Sequence, residues 1–192
     1  MKRRDAVKLT SLALGAAVSA PAWLFTLESC STKKNAGAPA FFSGNQSEII
    51  SEIADILIPK TGTPGALEAG VPDFIEKFVE FVYTAEQQGK FLKGMEELEK
   101  TSDARYGKGF LKITPQQKSE LLSNLNREAL KDESHAASPR QGPFILMIKE
   151  MTLLGYFTSM PGATETLQYL PIPGEFKGCI DLSQVGRAWA TE

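Results

Sequence analysis

The sequence predicts an all-α protein: a bundle of about five helices with a long irregular C-terminal arm, preceded by an N-terminal signal segment. Three observations predict it. Apolar residues recur at three- and four-residue spacing in several separate stretches, each bounded by capping residues, proline or glycine. No alternating strand pattern of useful length occurs, and no repeat at a fixed period. The stretch "GYFTSMPGATETLQYLPIPGEFKGCIDL", Gly155 to Leu182, gathers three prolines, four glycines, four aromatic residues and a cysteine, unlike anything before it.

The helices are read in order. "SEIISEIADILIPK" carries Ile49, Ile50, Ile53, Ile56 and Leu57 on one stripe, with Ser47 as N-cap and Pro59 as the stop. "TGTPGALEAGVPD" is a turn-rich linker, and Asp73 falls in the first turn of the next helix, where an acid suits the dipole. "DFIEKFVEFVYTAEQQ" places Phe74, Ile75, Phe78, Phe81 and Val82 on a bulky face expected at the centre of the core, with Gly89 marking its break. "KFLKGMEELEKTSDARYG" continues with Phe91, Leu92, Met95 and Leu98 and stops at Gly107. "ITPQQKSELLSNLNREALK" has the clearest start: Thr114 as N-cap, Pro115 at the first helical position and Gln117 completing a capping box. Its buried face is Leu121, Leu122, Leu125 and Ala129. After the polar loop "DESHAASPRQG", "PFILMIKEMTLLGYF" turns Phe144, Ile145, Ile148, Met151 and Leu154 inward. Met147 and Leu153 widen that apolar surface, so this helix is either central or covered by something else.

The chain of 192 residues is enough for one core, and 42% apolar with 23% charged residues is ordinary for a globular domain. A net charge of −2 and the lack of a basic patch with interleaved aromatics exclude nucleic acid as a partner. The start belongs to another class. Lys2, Arg3 and Arg4 precede a mostly apolar run from Leu9 to Leu27, the layout of an export signal. The paired Arg3 and Arg4, followed at one residue's spacing by Ala6, Val7 and Lys8, point to the twin-arginine route. An uncleaved membrane anchor is the alternative, although Thr10, Ser11, Gly15, Ser19 and Pro21 make the run weakly hydrophobic for a span. Leu27, Ser29 and Cys30 resemble a lipoprotein box, with Glu28 unusual in it, so Cys30 is the expected lipidation site; the alternative is an ordinary cleavage site nearby. Residues 1–29 then form the signal, 30–45 a lipid-anchor tether, and 46–192 the helical domain, with residues 155–192 as its arm. Without residues 1–29 the chain has 17 basic and 21 acidic residues, a net of −4. A lipidated Cys30 leaves Cys179 as the one remaining thiol, bonded to another chain or buried and inert.

The motifs of catalysis are missing. His135, the single histidine, stands in a polar loop without a second ligand near it, and the commonest general base is otherwise lacking. No G-x-G-x-x-G, Walker A loop, G-x-S-x-G or C-x-x-C-H occurs. Glu96, Glu97 and Glu99 alternate with Lys93 and Lys100 on what reads as a solvated face. The expectation is a chain with no catalytic residue, no metal and no cofactor of its own, and not itself an enzyme.

Two stretches go beyond generic helix. Ile53 to Val79 holds Ile58-Pro59, Thr63-Pro64-Gly65-Ala66, Ala69-Gly70-Val71-Pro72 and Phe74. Met147 to Leu182 holds Leu154-Gly155-Tyr156-Phe157-Thr158-Ser159, Gly162-Ala163-Thr164, Tyr169, Pro171, Pro173-Gly174 and Gly178-Cys179, with Gly186-Arg187-Ala188-Trp189-Ala190 beyond. Together with the twin-arginine start these resemble the gluconate 2-dehydrogenase subunit 3 family, over most of the chain; residues 84–131 match in character only. The resemblance implies a small, non-catalytic subunit of a membrane-linked, periplasmic dehydrogenase of sugars, sugar acids or glycosides. Its partner would be a large flavoprotein of the glucose-methanol-choline type that holds FAD, with a cytochrome c subunit carrying haem c often third. The small subunit would bring the export signal and escort a partner already folded around its FAD.

In that setting the arm has a use. It is too long for an ordinary connection and would leave a large apolar patch in water. The expectation is that Tyr156, Phe157, Tyr169, Leu170, Pro171, Ile172 and Phe176 drape over the catalytic subunit, with Pro161, Pro171 and Pro173 limiting the entropy lost on docking. The alternative is that the arm seals its own bundle. The family resemblance also implies an intersubunit disulfide through Cys179. Against the escort reading stand a free-standing periplasmic lipoprotein that binds a small ligand in its bundle, and a cryptic enzyme.

Overall fold

The computed structural model describes residues 40–132, 138–172, 174 and 178–190. The chain divides into two units between Ala40 and Phe41; Arg3, Arg4 and Cys30, and within the second unit His135, Pro173 and Phe176, lie outside the described residues. Five substantial helices form the second unit: α1 (Gly44–Leu57), α2 (Val71–Phe81), α3 (Ala85–Tyr106), α4 (Pro115–Ala129) and α5 (Phe144–Thr158). A short α6 (Leu182–Val185) lies in the arm. No strand occurs among the described residues beyond one isolated bridge. The expected all-α bundle is what forms.

Helix α5 is the axis. It packs against α1, α2, α3 and α4 in turn, and Phe144, Ile145, Leu146, Met147, Ile148, Met151, Thr152, Gly155 and Tyr156 are all buried on it. Of the two readings its apolar circumference allowed, the central one holds. Buried Thr152 satisfies its hydroxyl on the Ile148 carbonyl, 2.7 Å away, so it adds no unpaired polar atom to the core. Two glycines let neighbours come this close. A Cβ on Gly94 of α3 would overlap Phe144, and one on Gly155 would sit 2.5 Å from Cδ1 of Phe74 in α2.

Three of the five long helices share one device at their starts. Ser43, Thr84 and Thr114 each accept a bond from the amide three residues on, and Oε1 of Gln46, Gln87 and Gln117 each accepts one from the cap's own amide. Thr114, Pro115 and Gln117 act as their spacing predicts. Two other boundaries move. α1 begins at Ser43, not Ser47, because Ser43 has the glutamine three residues later that Ser47 lacks. α2 and α3 divide at Thr84, not Gly89, for the same reason, and Gly89 lies inside α3. The break has a consequence for the expected core face: Phe81 ends α2 and is 75% exposed, and Val82 is exposed beside it. Val71, Ile75 and Val79 are buried instead, with Phe74 and Phe78 half-buried. Gln88 closes the junction, its side-chain amide donating to the carbonyls of Val79, Glu80 and Tyr83 at 2.9, 3.1 and 3.4 Å.

Glu99 departs from the solvated face expected for it: its carboxylate accepts the Phe110 amide at 3.2 Å and caps the 3-10 turn Phe110–Lys112. Lys118 is buried on α4, and its ammonium reaches Glu52 of α1 at 2.7 Å and stands 5.7 Å from the Phe110 ring centre. Tyr83 is the misfit of the core. Its ring packs edge-on to Phe78, and its buried hydroxyl has no hydrogen-bond partner among the described residues. Burial, with the Glu150 carboxylate pushing the same way and Arg140 opposing, drives its pKa up to about 12.

The irregular arm starts later than Gly155. α5 continues to Thr158, and a π-turn at Gly162–Thr166 follows. Tyr156 is therefore a core residue, 1% exposed, because positions 148, 152 and 156 share the inward stripe of α5. Its hydroxyl donates to the Pro64 carbonyl at 2.6 Å and pairs with Thr166 Oγ1 at 2.6 Å. One phenol thus ties the linker before α2 to the root of the arm.

Two pairs of substitutions test this packing by chemical denaturation of the full chain. Gly89 has open space around it, so Gly89→Ala should stabilise by up to about 1 kcal/mol through helix propensity. Gly94→Ala should destabilise by roughly 1–3 kcal/mol through overpacking against Phe144. Tyr156→Phe should cost about 1–2 kcal/mol, because it strands a carbonyl. Tyr83→Phe should cost nothing at pH 8. A folded-state pKa raised above the ordinary tyrosine value gives stability that is present below pH 10 and lost as pH rises toward about 12. The wild-type chain should lose stability across that window more steeply than Tyr83→Phe.

Candidate functional site

Among the described residues no group of three or more histidine, cysteine, aspartate or glutamate side chains could hold a metal ion. No described helix is long and apolar enough to cross a membrane. Perturbed titrating groups are few. Lys60 is raised by its hydrogen bond and charge pairing with Glu68, and Glu68 is lowered chiefly by the same bond. Glu68 also accepts the Gly65 amide, so this exposed pair serves to close the linker between α1 and α2. Tyr83 is sealed in the core. Among the described residues, these perturbed groups do not pair an accessible nucleophile with a base.

An open, mainly apolar groove of about 420 Å³ lies between α3, α4 and the start of α5. Leu98, Leu125, Phe144 and Ile145 line it, with Glu97 and Glu128 at the sides. Its size suits a small ligand, and two of its lining side chains, Lys131 and Glu128, pair with each other at 2.6 Å.

The arm is the other distinctive surface. Its base is closed by a parallel bridge between Gln168 and Trp189. The Gln168 amide donates to the Ala188 carbonyl at 2.8 Å, and the Ala190 amide to the Gln168 carbonyl at 2.9 Å. The Arg187 guanidinium donates to the Glu165 carbonyl and fastens the returning strand to the π-turn. Gly186 turns the chain with φ of +82°, a conformation that favours glycine. The residues between Tyr169 and Ala188 thus form a loop whose two ends meet.

Several described apolar residues of that loop are exposed. Ile172 is 84% exposed, and Tyr169, Leu170, Pro171, Ile180 and Trp189 are exposed too. Cys179 stands among them as a free, exposed thiol. Phe157, the last aromatic of α5, is 40% exposed and meets the Tyr156 ring edge-on at 5.2 Å. Of the residues named in advance as an apolar docking set, Phe157, Tyr169, Leu170, Pro171 and Ile172 face solvent, and Tyr156 does not: it is the anchor beneath them. Phe176 lies outside the described residues. Leu153, read from the sequence as widening the apolar surface of α5, is exposed one turn before Phe157, and Met160, not singled out from sequence, is exposed three residues beyond it; spacing from Phe157 was the signal that could have found Met160.

The end of α5 and the loop thus each expose apolar side chains, and the loop carries a free, exposed thiol; exposed apolar groups of this kind suit contact with a larger apolar surface.

No curated protein and no solved structure matches the chain. The family model described as gluconate 2-dehydrogenase subunit 3 matches residues 44–174, from the first residue of α1 to the middle of the exposed loop. A match over more than half of the sequence settles membership: the chain belongs to the gluconate 2-dehydrogenase subunit 3 family, the small subunits of a dehydrogenase complex.

Proposed function

We propose that this chain is the non-catalytic small subunit of a periplasmic, FAD-dependent dehydrogenase of the glucose-methanol-choline type, which oxidises a sugar, sugar acid or glycoside. The observation that carries the proposal is the closed loop with exposed Tyr169, Leu170 and Ile172, on a chain of this family. A loop pinned at Gln168 and Trp189 loses little further entropy on docking, so apolar burial is available for affinity. FAD belongs to the partner; this chain supplies a surface and no redox group. A cytochrome c subunit carrying haem c would receive the electrons.

The division of labour follows from the export route. FAD is loaded before export, so the flavoprotein has to fold first and leave folded. Arg3 and Arg4 on the small subunit would direct both across, and the N-terminal segment, lipidated at Cys30 or retained, would tether the pair to the membrane. The interface must survive transport, which calls for a contact of about 2,000 Å² or more. Cys179, exposed within the docking face, can then close a disulfide to the partner once in the oxidising compartment. The groove of about 420 Å³ supports a second reading, a free-standing lipoprotein that binds a small apolar ligand.

Affinity purification of the tagged full chain from membranes should recover a larger yellow flavoprotein in fixed ratio. A solitary colourless chain would overturn the escort reading in favour of the second. Tyr169→Asp with Ile172→Asp, both at exposed positions, should reduce recovery of the flavoprotein at least about tenfold while leaving the bundle's unfolding midpoint unchanged. Replacing Arg3 and Arg4 by lysine should leave both proteins in the cytoplasm; a flavoprotein that still reaches the periplasm would sink the escort role.

A further inference from the structure

The exposed pair Phe81 and Val82 is unrelated to the arm. It lies at the turn between α2 and α3, with Phe81 75% and Val82 55% exposed. Its base is rigid. Tyr83, the next residue, is buried with its ring 5.5 Å from that of Phe78 and 6.5 Å from that of Phe91, and Gln88 holds the carbonyls on both sides. An aromatic side chain held outward on so firm a base is a surface waiting for a cover.

Two observations say what covers it. The chain enters the domain beside this turn: the Phe42 amide donates to Glu76 of α2 at 3.4 Å, and the Phe42 ring lies 5.8 Å from Phe91, the same ring that packs on Tyr83. Only ten residues separate this entry from Cys30, Ser31 to Ala40, and ten residues span at most about 35 Å. The second observation is direction. The arm's root meets the first half of α2 and the linker before it, where Gly155 packs on Phe74 and Tyr156 binds Pro64, whereas Phe81 ends the helix, about 10 Å beyond Phe74 along its axis.

We propose that Phe81 and Val82 form a tip that enters the interfacial layer of the lipid bilayer and orients the domain, turning the docking arm away from the membrane. The proposal rests on the anchoring reading above. The charged residues from Glu76 to Lys90, on either side of the tip in sequence, are mixed, Lys77 and Lys90 with Glu76, Glu80 and Glu86, so the contact proposed is apolar and insensitive to salt. It also adds a second attachment to that of the N-terminal segment, and two signals are what stable, oriented attachment needs.

The test is the full chain carrying Phe81→Trp, bound to phosphatidylethanolamine–phosphatidylglycerol vesicles with brominated acyl chains, its emission corrected for the parent chain's Trp23 and Trp189. The brominated lipid should quench the added tryptophan roughly twofold or more, at low and high salt alike. A parent chain recovered free of cell membranes would defeat the anchoring reading and this proposal together. A parent that binds vesicles while the added tryptophan is quenched only by aqueous acrylamide would overturn the tip alone. Shielding from both quenchers once the flavoprotein is added would assign the tip to the protein partner and overturn the proposal as well.

Discussion

The structure depends on one constraint: α5 has almost no polar side. Nine of its fifteen residues are buried, and a helix of that kind is stable in water only when others surround it. The four other long helices are placed by this demand. α2 comes close because Gly155 makes room for Phe74, and α3 because Gly94 makes room for Phe144. The aromatic chain Phe42, Phe91, Phe144 then links the domain's entry to the start of α5 with ring centres 5.8 and 4.9 Å apart.

Polar groups in this bundle serve mainly to end things. Three serine or threonine caps with glutamine at the third position start α1, α3 and α4, and Gln88 terminates α2. Glu99 caps a 3-10 turn, Glu68 the linker, and Ser102 reaches the Lys108 carbonyl at 2.9 Å across the left-handed turn at Gly107. The ion pairs Arg105–Glu120 and Lys118–Glu52 join long helices, and in the second the buried Lys118 ammonium stands near the Phe110 ring while Glu52 is partly exposed. Glu99, Glu68 and Lys118 are thus engaged in architecture.

The helices could be read from sequence because apolar spacing and local capping are properties of neighbouring residues. Thr114-Pro115-x-Gln117 specifies a start without reference to the rest of the fold, and so it was legible. Ser43 and Thr84 carry the same box, but Ser47 and Gly89 looked like plainer punctuation, and the boundaries were misplaced by a few residues. That shift mattered at Phe81: on a continuous helix it belongs to the stripe of Phe74 and Phe78, and on a helix that ends at Phe81 it points to solvent. Tyr156 failed for a different reason. Gly155 suggested the end of helical structure, but this glycine is there for the close approach of Phe74, a contact made 81 residues away in sequence. Aromatic content in the arm was legible; which rings serve as foundation and which remain free was decided by Pro64 and Thr166, partners that no local pattern names.

The join between Gln168 and Trp189 has a mechanical meaning. A force applied to Cys179 would otherwise run along a single strand toward the terminus. Because the loop's two legs are cross-linked at their base, with Arg187 fastened to Glu165, the load divides between them and reaches the bundle through the π-turn and the Tyr156 clasp. The loop is built as a handle, and whatever holds it holds the whole body.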